Sequence, residues 1–598
     1  MKIKDYFKNH YLAIFFAVLV GFIYLAPNLF FVLSLGGDYQ GIPIMRTANE
    51  DYYLARIQEI LDGHFLVASH GFYEYKDQLP TAPPVGEFFY ALPALLFGVS
   101  PANVLMASRF ILPFILFLLV YFLMRKLTGD AEIFSNKINA VAGALFVTLG
   151  YDLADFRGIF KFLSGGDFIG SNFLMWARPV NPILGAIFLF SFLILIWKII
   201  EQSGRRAINI FGASIFLALM IGSYFFSWGI ALSVTAMLIL IYFLRKEYKA
   251  AKNLIFVLLS AFVFSAPYWY LMWRSSQSPW YEESLLRSGM FYTHYPLLNK
   301  IMLAVLAVYI LMLFFESWKC KKSNMVFQFK NWHIFCLAFI LGSLWVYSQQ
   351  IVTGRTVWPY HFPQYTIPLA MIVLITLFYN ILKKESAYLW RAGIFIIVFF
   401  SLAIGIYTQA YVYQKFFYEY AARQSYVEIF NWLNSRKKDC VVLVRQNGRE
   451  ASKIEGLIPA FTHCNVYASS WIYTLMPSDR PQFNYMVILR LNGITGEEID
   501  RYMAEHKGQE NGYLFSNWKG LYGVKDFPDF SDSLLAEQSK QFSENYKAFM
   551  KKDFRAELER YKIDYILSLG PLDELMSSSL RDVHEIFKMK NVFIYSFN

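Results

Sequence analysis

Apolar runs of roughly 17–24 residues recur from the N-terminus to about residue 410, separated by short polar stretches. Each run is long enough to cross a ~30 Å hydrocarbon core as a helix, the form in which a lipid-embedded backbone satisfies its own hydrogen bonds. Eleven spans are expected, near 11–33, 101–124, 138–153, 179–199, 207–226, 228–244, 253–273, 297–317, 332–349, 364–382 and 391–410. The first run is read as a membrane helix, because it is too long for a cleavable signal and no small-residue cleavage motif follows it. Residues 85–99 form a further apolar segment, but it is short, carries Glu87 and Pro93, and follows Pro83-Pro84.

Beyond residue 410 the period changes. Cys440–Arg445, Asn465–Ala468 and Tyr565–Leu567 read as buried strands, and Ala451–Gly456, Gly496–Glu505 and Glu537–Tyr561 as helices. The expected architecture is a polytopic α-helical membrane protein with a C-terminal soluble α/β domain. Residues 1–410 form the membrane domain, with an acidic first exterior loop at 34–84, and residues 411–598 the exterior domain.

Charge orients the chain. If residues 85–99 do not cross, six basic clusters fall on one side, from Lys2/Lys4/Lys8 to Lys383/Lys384/Arg391. The positive-inside rule then makes that side cytoplasmic and sends the tail outside, with residues 85–99 interfacial or re-entrant. The compact loops suit a prokaryotic plasma or inner membrane. Residues 411–598 carry 24 basic and 24 acidic residues, so the whole net charge of +11 belongs to residues 1–410. That excess suits cytoplasmic loops against anionic membrane lipid, and nucleic acid is not an expected partner.

The exterior loops hold the candidate chemistry. Loop one contains Asn49-Glu50-Asp51-Tyr52-Tyr53-Leu54-Ala55-Arg56, whose apolar residues recur at helical spacing and suggest an amphipathic helix lying on the membrane. Loop two (154–178) offers Asp155, Asp167 and Arg178, and loop five (350–363) offers Arg355, Trp358 and His361. Cys440 and Cys464 each lead into an exterior strand. If those strands are neighbours a disulfide fits; otherwise both are buried thiols.

The topology and the run Glu50-Asp51-Tyr52-Tyr53-Leu54-Ala55-Arg56 together resemble the GT-C superfamily of polyprenyl-phosphate-dependent glycosyltransferases. The run is similar to the acid-x-aromatic-aromatic-x-x-Arg segment of oligosaccharyltransferase catalytic subunits, and Gly71–Pro84 resembles their proline-rich end of loop one. The Trp-Trp-Asp motif with which those enzymes hold a peptide acceptor is absent from the tail. The resemblance implies transfer of a sugar from a polyprenyl phosphate or diphosphate donor to a glycan, lipid or protein acceptor on the exterior face. It puts Glu50 in the place of the first-loop catalytic acid, with Asp51 beside it; either could be the base, and Asp152, Asp155 and Asp167 are all candidates for a second acid. Arg178 and Arg355 become the phosphate binders, with Arg56, Trp358 and His361 as further substrate contacts. A divalent cation such as Mg or Mn is compatible with these acids but not required by them. The bland readings are solvated carboxylates, Arg56 paired along its own helix, and arginines that reach lipid headgroups. Two other functions share this topology: a lipid-linked sugar transporter or flippase, and a non-catalytic scaffold. A transporter would show ionisable residues at mid-membrane depth, where Arg109 is the main exception to an otherwise apolar interior.

Overall fold

The computed structural model describes residues 3–45, 47, 49–129, 134–154, 164, 173–383, 386–445, 449–506, 512–517 and 531–597. All eleven apolar stretches are helical among them. Eight helices are long and apolar enough to cross a membrane, including α1 (Ile3–Leu35) and Ala387–Arg423. The pair Tyr248–Phe264 and Ala266–Ser276, bent by 57°, is together also long and apolar enough, and is either a broken ninth span or a re-entrant loop. Phe134–Leu149 and Asn331–Tyr347 are shorter, at 16 and 17 residues. The Val85–Phe97 segment is a 13-residue helix (α3), about 20 Å long at 1.5 Å per residue, too short to cross. Its exposed side carries Phe89, Leu92, Leu95 and Leu96, and its buried side Glu87, Tyr90, Ala91 and Ala94. The chain is a polytopic α-helical membrane protein with a small C-terminal sheet.

The sheet has five strands in the order β2-β1-β3-β5-β4: β1 (Val441–Val444), β2 (Asn465–Val466), β3 (Tyr565–Ser568), β4 (His584–Met589) and β5 (Val592–Ser596). β1 pairs in parallel with β2 and β3, and β5 runs antiparallel to β3 and β4. Strands β1, β2 and β3 are those the sequence pattern predicts. The β4–β5 hairpin is additional, and so are the Tyr426–Asn434 and Asp479–Leu491 helices. The single helix expected over Glu537–Tyr561 is two, Asp532–Met550 and Phe554–Leu558. Cys440 and Cys464 form a disulfide with Cα atoms 4.5 Å apart, beside the β1–β2 pair.

Loop one is held against this unit. The Val466 amide donates to the Gly71 carbonyl at 3.0 Å, extending the β2 edge. Lys76 is buried between Glu59, at 2.9 Å, and Asp439, at 3.1 Å. Burial pushes the Glu59 carboxyl up to about 7 even with Lys76 beside it. Arg480, fully buried, donates to Glu74 at 2.7 Å and lies 3.8 Å from the Tyr561 ring centroid. Arg287, from the Tyr281–Arg287 helix, donates to Ser478 Oγ at 2.9 Å and to the Thr474 carbonyl at 3.2 Å. Pairs this well buried and bonded are costly to break from one side, so they fix the loops that carry the candidate residues.

Candidate active site

The first-loop motif forms a 12-residue helix, α2 (Glu50–Leu61). Asn49 starts it with φ +64°, a left-handed conformation that asparagine tolerates. Glu50 and Asp51 occupy its first turn, where the helix dipole favours negative charge. The helix does not lie on a membrane with one face in water: Glu50, Tyr53, Leu54, Ala55, Arg56, Ile57, Glu59 and Ile60 are all buried. Leu54 and Ala55 share a core with Ile454, Leu457 and Ile458 of the Arg449–Phe461 helix, while Tyr53, Ile57 and Ile60 pack into the membrane core. α2 is therefore sandwiched, and its two acids point to different neighbours.

Glu50 is 1% exposed. Its Oε1 accepts from Thr47 Oγ1 at 2.5 Å and from the Arg109 guanidinium at 2.7 Å. Arg109 lies in α4 (Pro101–Thr128) and also donates to the Ile44 carbonyl at 2.9 Å. The one cation that stands out within an apolar span thus exists to meet the loop-one acid. Oε2 of Glu50 has no hydrogen-bond partner. Burial raises the Glu50 pKa, and Arg109 and Thr47 hold that rise in check. The residue lines a cavity of about 20 Å³ with Tyr24, Ile44, Phe173 and Ala177, space on the scale of one water molecule.

Asp51, one residue on, turns to the C-terminal unit. Its Oδ2 packs against Gly456: a Cβ added there would fall 2.6 Å from that oxygen, so a side chain at 456 would displace the carboxylate. Burial raises its pKa, with Arg423 lowering it. Asp51 lines a second cavity, of about 190 Å³, with Met45, Thr47, Tyr420, Arg423, Lys453 and Leu457. Thr47 borders both cavities.

Arg178 sits just past the Met175–Ala177 turn, which is pinned by Trp176 donating to the Val147 carbonyl at 2.8 Å. After it, the Val180 amide donates to Tyr90 Oη at 3.0 Å. The guanidinium is 5.5 Å from the Tyr53 ring centroid, with Tyr224 and Tyr365 also in its surroundings. Arg178 is 7% exposed, its Nε lacks a partner, and among the described residues no carboxylate pairs with it. Glu50 and Tyr53 are three residues apart on α2, so Glu50 and the Arg178 that rests on Tyr53 share one helix face.

The remaining sequence candidates are committed elsewhere. Arg56 pairs with Glu87 of α3 at 2.5 Å, joining α2 to the interfacial helix rather than pairing along its own helix. Arg355 pairs with Glu282 at 3.1 Å and stacks on Tyr292 at 4.3 Å. Trp358 donates to the Ser288 carbonyl at 2.5 Å and lies against Gly289, where φ is +71° and a side chain would collide with the indole. His361 Nδ1 is 3.1 Å from Tyr224 Oη, which brings it to the edge of the Arg178 cluster. Asp155 and Asp167 lie outside the described residues. Among the described residues the one grouping of three metal-type ligands is Cys440, His463 and Cys464, and the disulfide occupies two of those sulfurs. Arg109, Arg423 and Lys453 were not among the sequence candidates; only Arg109 carried a signal, as an isolated cation in an apolar span.

No family model matches the chain, and no curated protein does. The chain is similar to the solved structure of ArnT from Cupriavidus metallidurans bound to undecaprenyl phosphate, with TM-score 0.45 and 10% identity over 98% of this chain and 97% of that one. It is similar to the apo oligosaccharyltransferase of Archaeoglobus fulgidus, with TM-score 0.45 and 12% identity over 94% and 69% of the two chains. The same holds for AglB of Archaeoglobus fulgidus in complex with an inhibitory peptide and a dolichol-phosphate, with TM-score 0.45 and 11% identity over 95% and 70%.

Proposed function

We propose that this protein is a membrane glycosyltransferase that moves a sugar from a polyprenyl phosphate or diphosphate to an acceptor on the exterior face. The observation that carries the reading is the pairing, on one face of α2, of a buried carboxylate with one unbonded oxygen and a buried arginine that no carboxylate among the described residues pairs with. Such a reaction needs a base for the acceptor hydroxyl and a cation for the departing phosphate. Glu50 Oε2 takes the acceptor proton while Arg109 and Thr47 hold Oε1. The acceptor oxygen attacks the anomeric carbon, the bond from that carbon to the phosphate oxygen breaks, and its electron pair leaves with the polyprenyl phosphate. Arg178, with two-pronged donors and no competing carboxylate among the described residues, receives that phosphate. The count of basic residues supports assigning the loop-one and C-terminal sides to the exterior.

The test follows release of radiolabelled sugar from a panel of polyprenyl-linked donors by purified protein in lipid. Glu50→Gln is expected to lose turnover while still binding donor, and Asp51→Asn to keep its kcat. Equal turnover in wild type and Glu50→Gln would remove Glu50 from the chemistry. Absence of turnover in wild type together with lipid-linked sugar crossing the bilayer would favour a transporter.

A further inference from the structure

The cavity between Asp51 and the exterior helix has a composition unlike that of the Arg178 cluster. Arg178 is surrounded by phenols and asks for an anion. Among the described residues the Asp51 cavity is balanced: Arg423 and Lys453 both donate to Glu419, at 2.7 and 2.9 Å, and Asp51 supplies a second carboxylate. A further phosphate or carboxylate would meet as much negative as positive charge there. What the cavity does offer is a dense set of hydrogen-bonding groups of both kinds. Asp51 has no side-chain donor among the described residues. Arg423, 4% exposed, keeps its Nε without a partner, and Thr47 contributes a hydroxyl to the wall. A carboxylate accepts only and a guanidinium or ammonium donates only, so neighbouring hydroxyls, which do both, bridge them. The apolar walls, Met45, Leu457 and the Tyr420 ring, suit the C–H face of a ring. At about 190 Å³ the space falls below the ~300 Å³ at which drug-sized pockets begin, which matches one ring and not a chain of them.

We infer that this cavity is a monosaccharide subsite, in which Asp51, Arg423 and Lys453 hold the hydroxyls of one pyranose ring beside the reactive carboxylate. The inference rests on the transferase reading for its place in a reaction, and on its own residues for its chemistry. Thr47, shared by both cavities, puts the ring within one side chain of Glu50. The ring belongs either to the donor or to a glycan acceptor. In both cases Asp51 is a binding residue, and the neighbouring acid is the base.

The experiment is saturation-transfer NMR on the full-length protein in nanodiscs with methyl α-D-glycopyranosides of gluco, galacto, manno and N-acetylgluco configuration. Saturable binding of at least one glycoside is expected, weakened tenfold or more in Asp51→Ala and in Lys453→Met and unchanged in Arg355→Gln. Lys453 is half-buried, so its variant reports on binding even if loss of buried Arg423 unfolds the protein. Displacement by a polyprenyl-linked sugar but not by the polyprenyl phosphate alone assigns the ring to the donor; displacement by neither assigns it to the acceptor. Binding of no glycoside, or equal binding in wild type, Asp51→Ala and Lys453→Met, overturns the subsite. Sugar release from donor is followed on the same samples. Release without glycoside binding leaves the transferase standing and removes the subsite. Asp51-dependent binding without release supports the subsite and removes the transferase.

Discussion

Replacing Arg109 by methionine tests the core of the site, because that side chain is the only cation bonded to Glu50 among the described residues. The two are 59 residues apart in sequence and 2.7 Å apart in space, with side-chain exposures of 8% and 1%. A hydrogen bond to a charged group contributes about 1.5–3 kcal/mol. At 1.36 kcal/mol per pKa unit, its loss raises the Glu50 pKa by about one to two units. The sign follows from what Arg109 favours. It stabilises the ionised carboxylate, so without it Glu50 keeps its proton to higher pH. A general base must be ionised, and the acidic limb of the kcat profile should therefore move up by about one to two pH units. Turnover lost at neutral pH should return at alkaline pH. Removing one partner of a buried pair also destabilises by about 3–5 kcal/mol, whereas neutralising both restores much of that loss. Arg109→Met/Glu50→Gln should thus unfold at a higher temperature than Arg109→Met alone, while remaining inactive at every pH. The assay is sugar release across pH, alongside thermal unfolding in detergent. An acidic limb in Arg109→Met that coincides with wild type would refute Glu50 as the titrating base.

Two further outcomes follow from the same structure. Arg178→Gln should weaken binding of a polyprenyl phosphate by tenfold or more in a lipid-binding assay, since it removes a buried cation with no carboxylate partner among the described residues. Arg355→Gln, whose guanidinium already has Glu282, should change that binding little; the reverse order would exchange their roles. Glu455 predicts a pH dependence of stability. Burial pushes its carboxyl up to about 8, with Asp51 adding to the shift, and its Oε1 accepts from the Ser470 amide at 2.8 Å. Between about pH 5 and 8 the folded chain keeps a proton that the unfolded chain releases. Stability contributed by this group should fall as pH rises through that window, by up to about 1.4 kcal/mol per pH unit. Glu455→Gln should flatten the pH dependence of thermal unfolding, and an unchanged slope would refute it.

By itself the sequence determined the class of this protein, through patterns that need no partner. Apolar runs as long as a bilayer is thick become helices wherever they pack, and an isolated 13-residue run cannot cross whatever surrounds it. The strands at Val441 and Tyr565 were legible for a similar reason, since a buried strand reads as a short apolar run, although the equally buried β5 was not read from its pattern. The β4 strand escaped because it forms the sheet edge: His584, Glu585 and Lys588 face water, and its pattern reads as loop. Within the site, the adjacency of Glu50 and Asp51 was visible, but their difference was not. Successive helical residues point about 100° apart, so neighbours in sequence meet different neighbours in space. Only the tertiary structure decided that Glu50 meets Arg109 and a space the size of one water, while Asp51 meets Gly456, Arg423 and Lys453. It likewise decided which arginines are occupied. Among the described residues Arg56 and Arg355 have found carboxylates in other segments and Arg178 has not, a distinction that depends on distances no one-dimensional pattern contains.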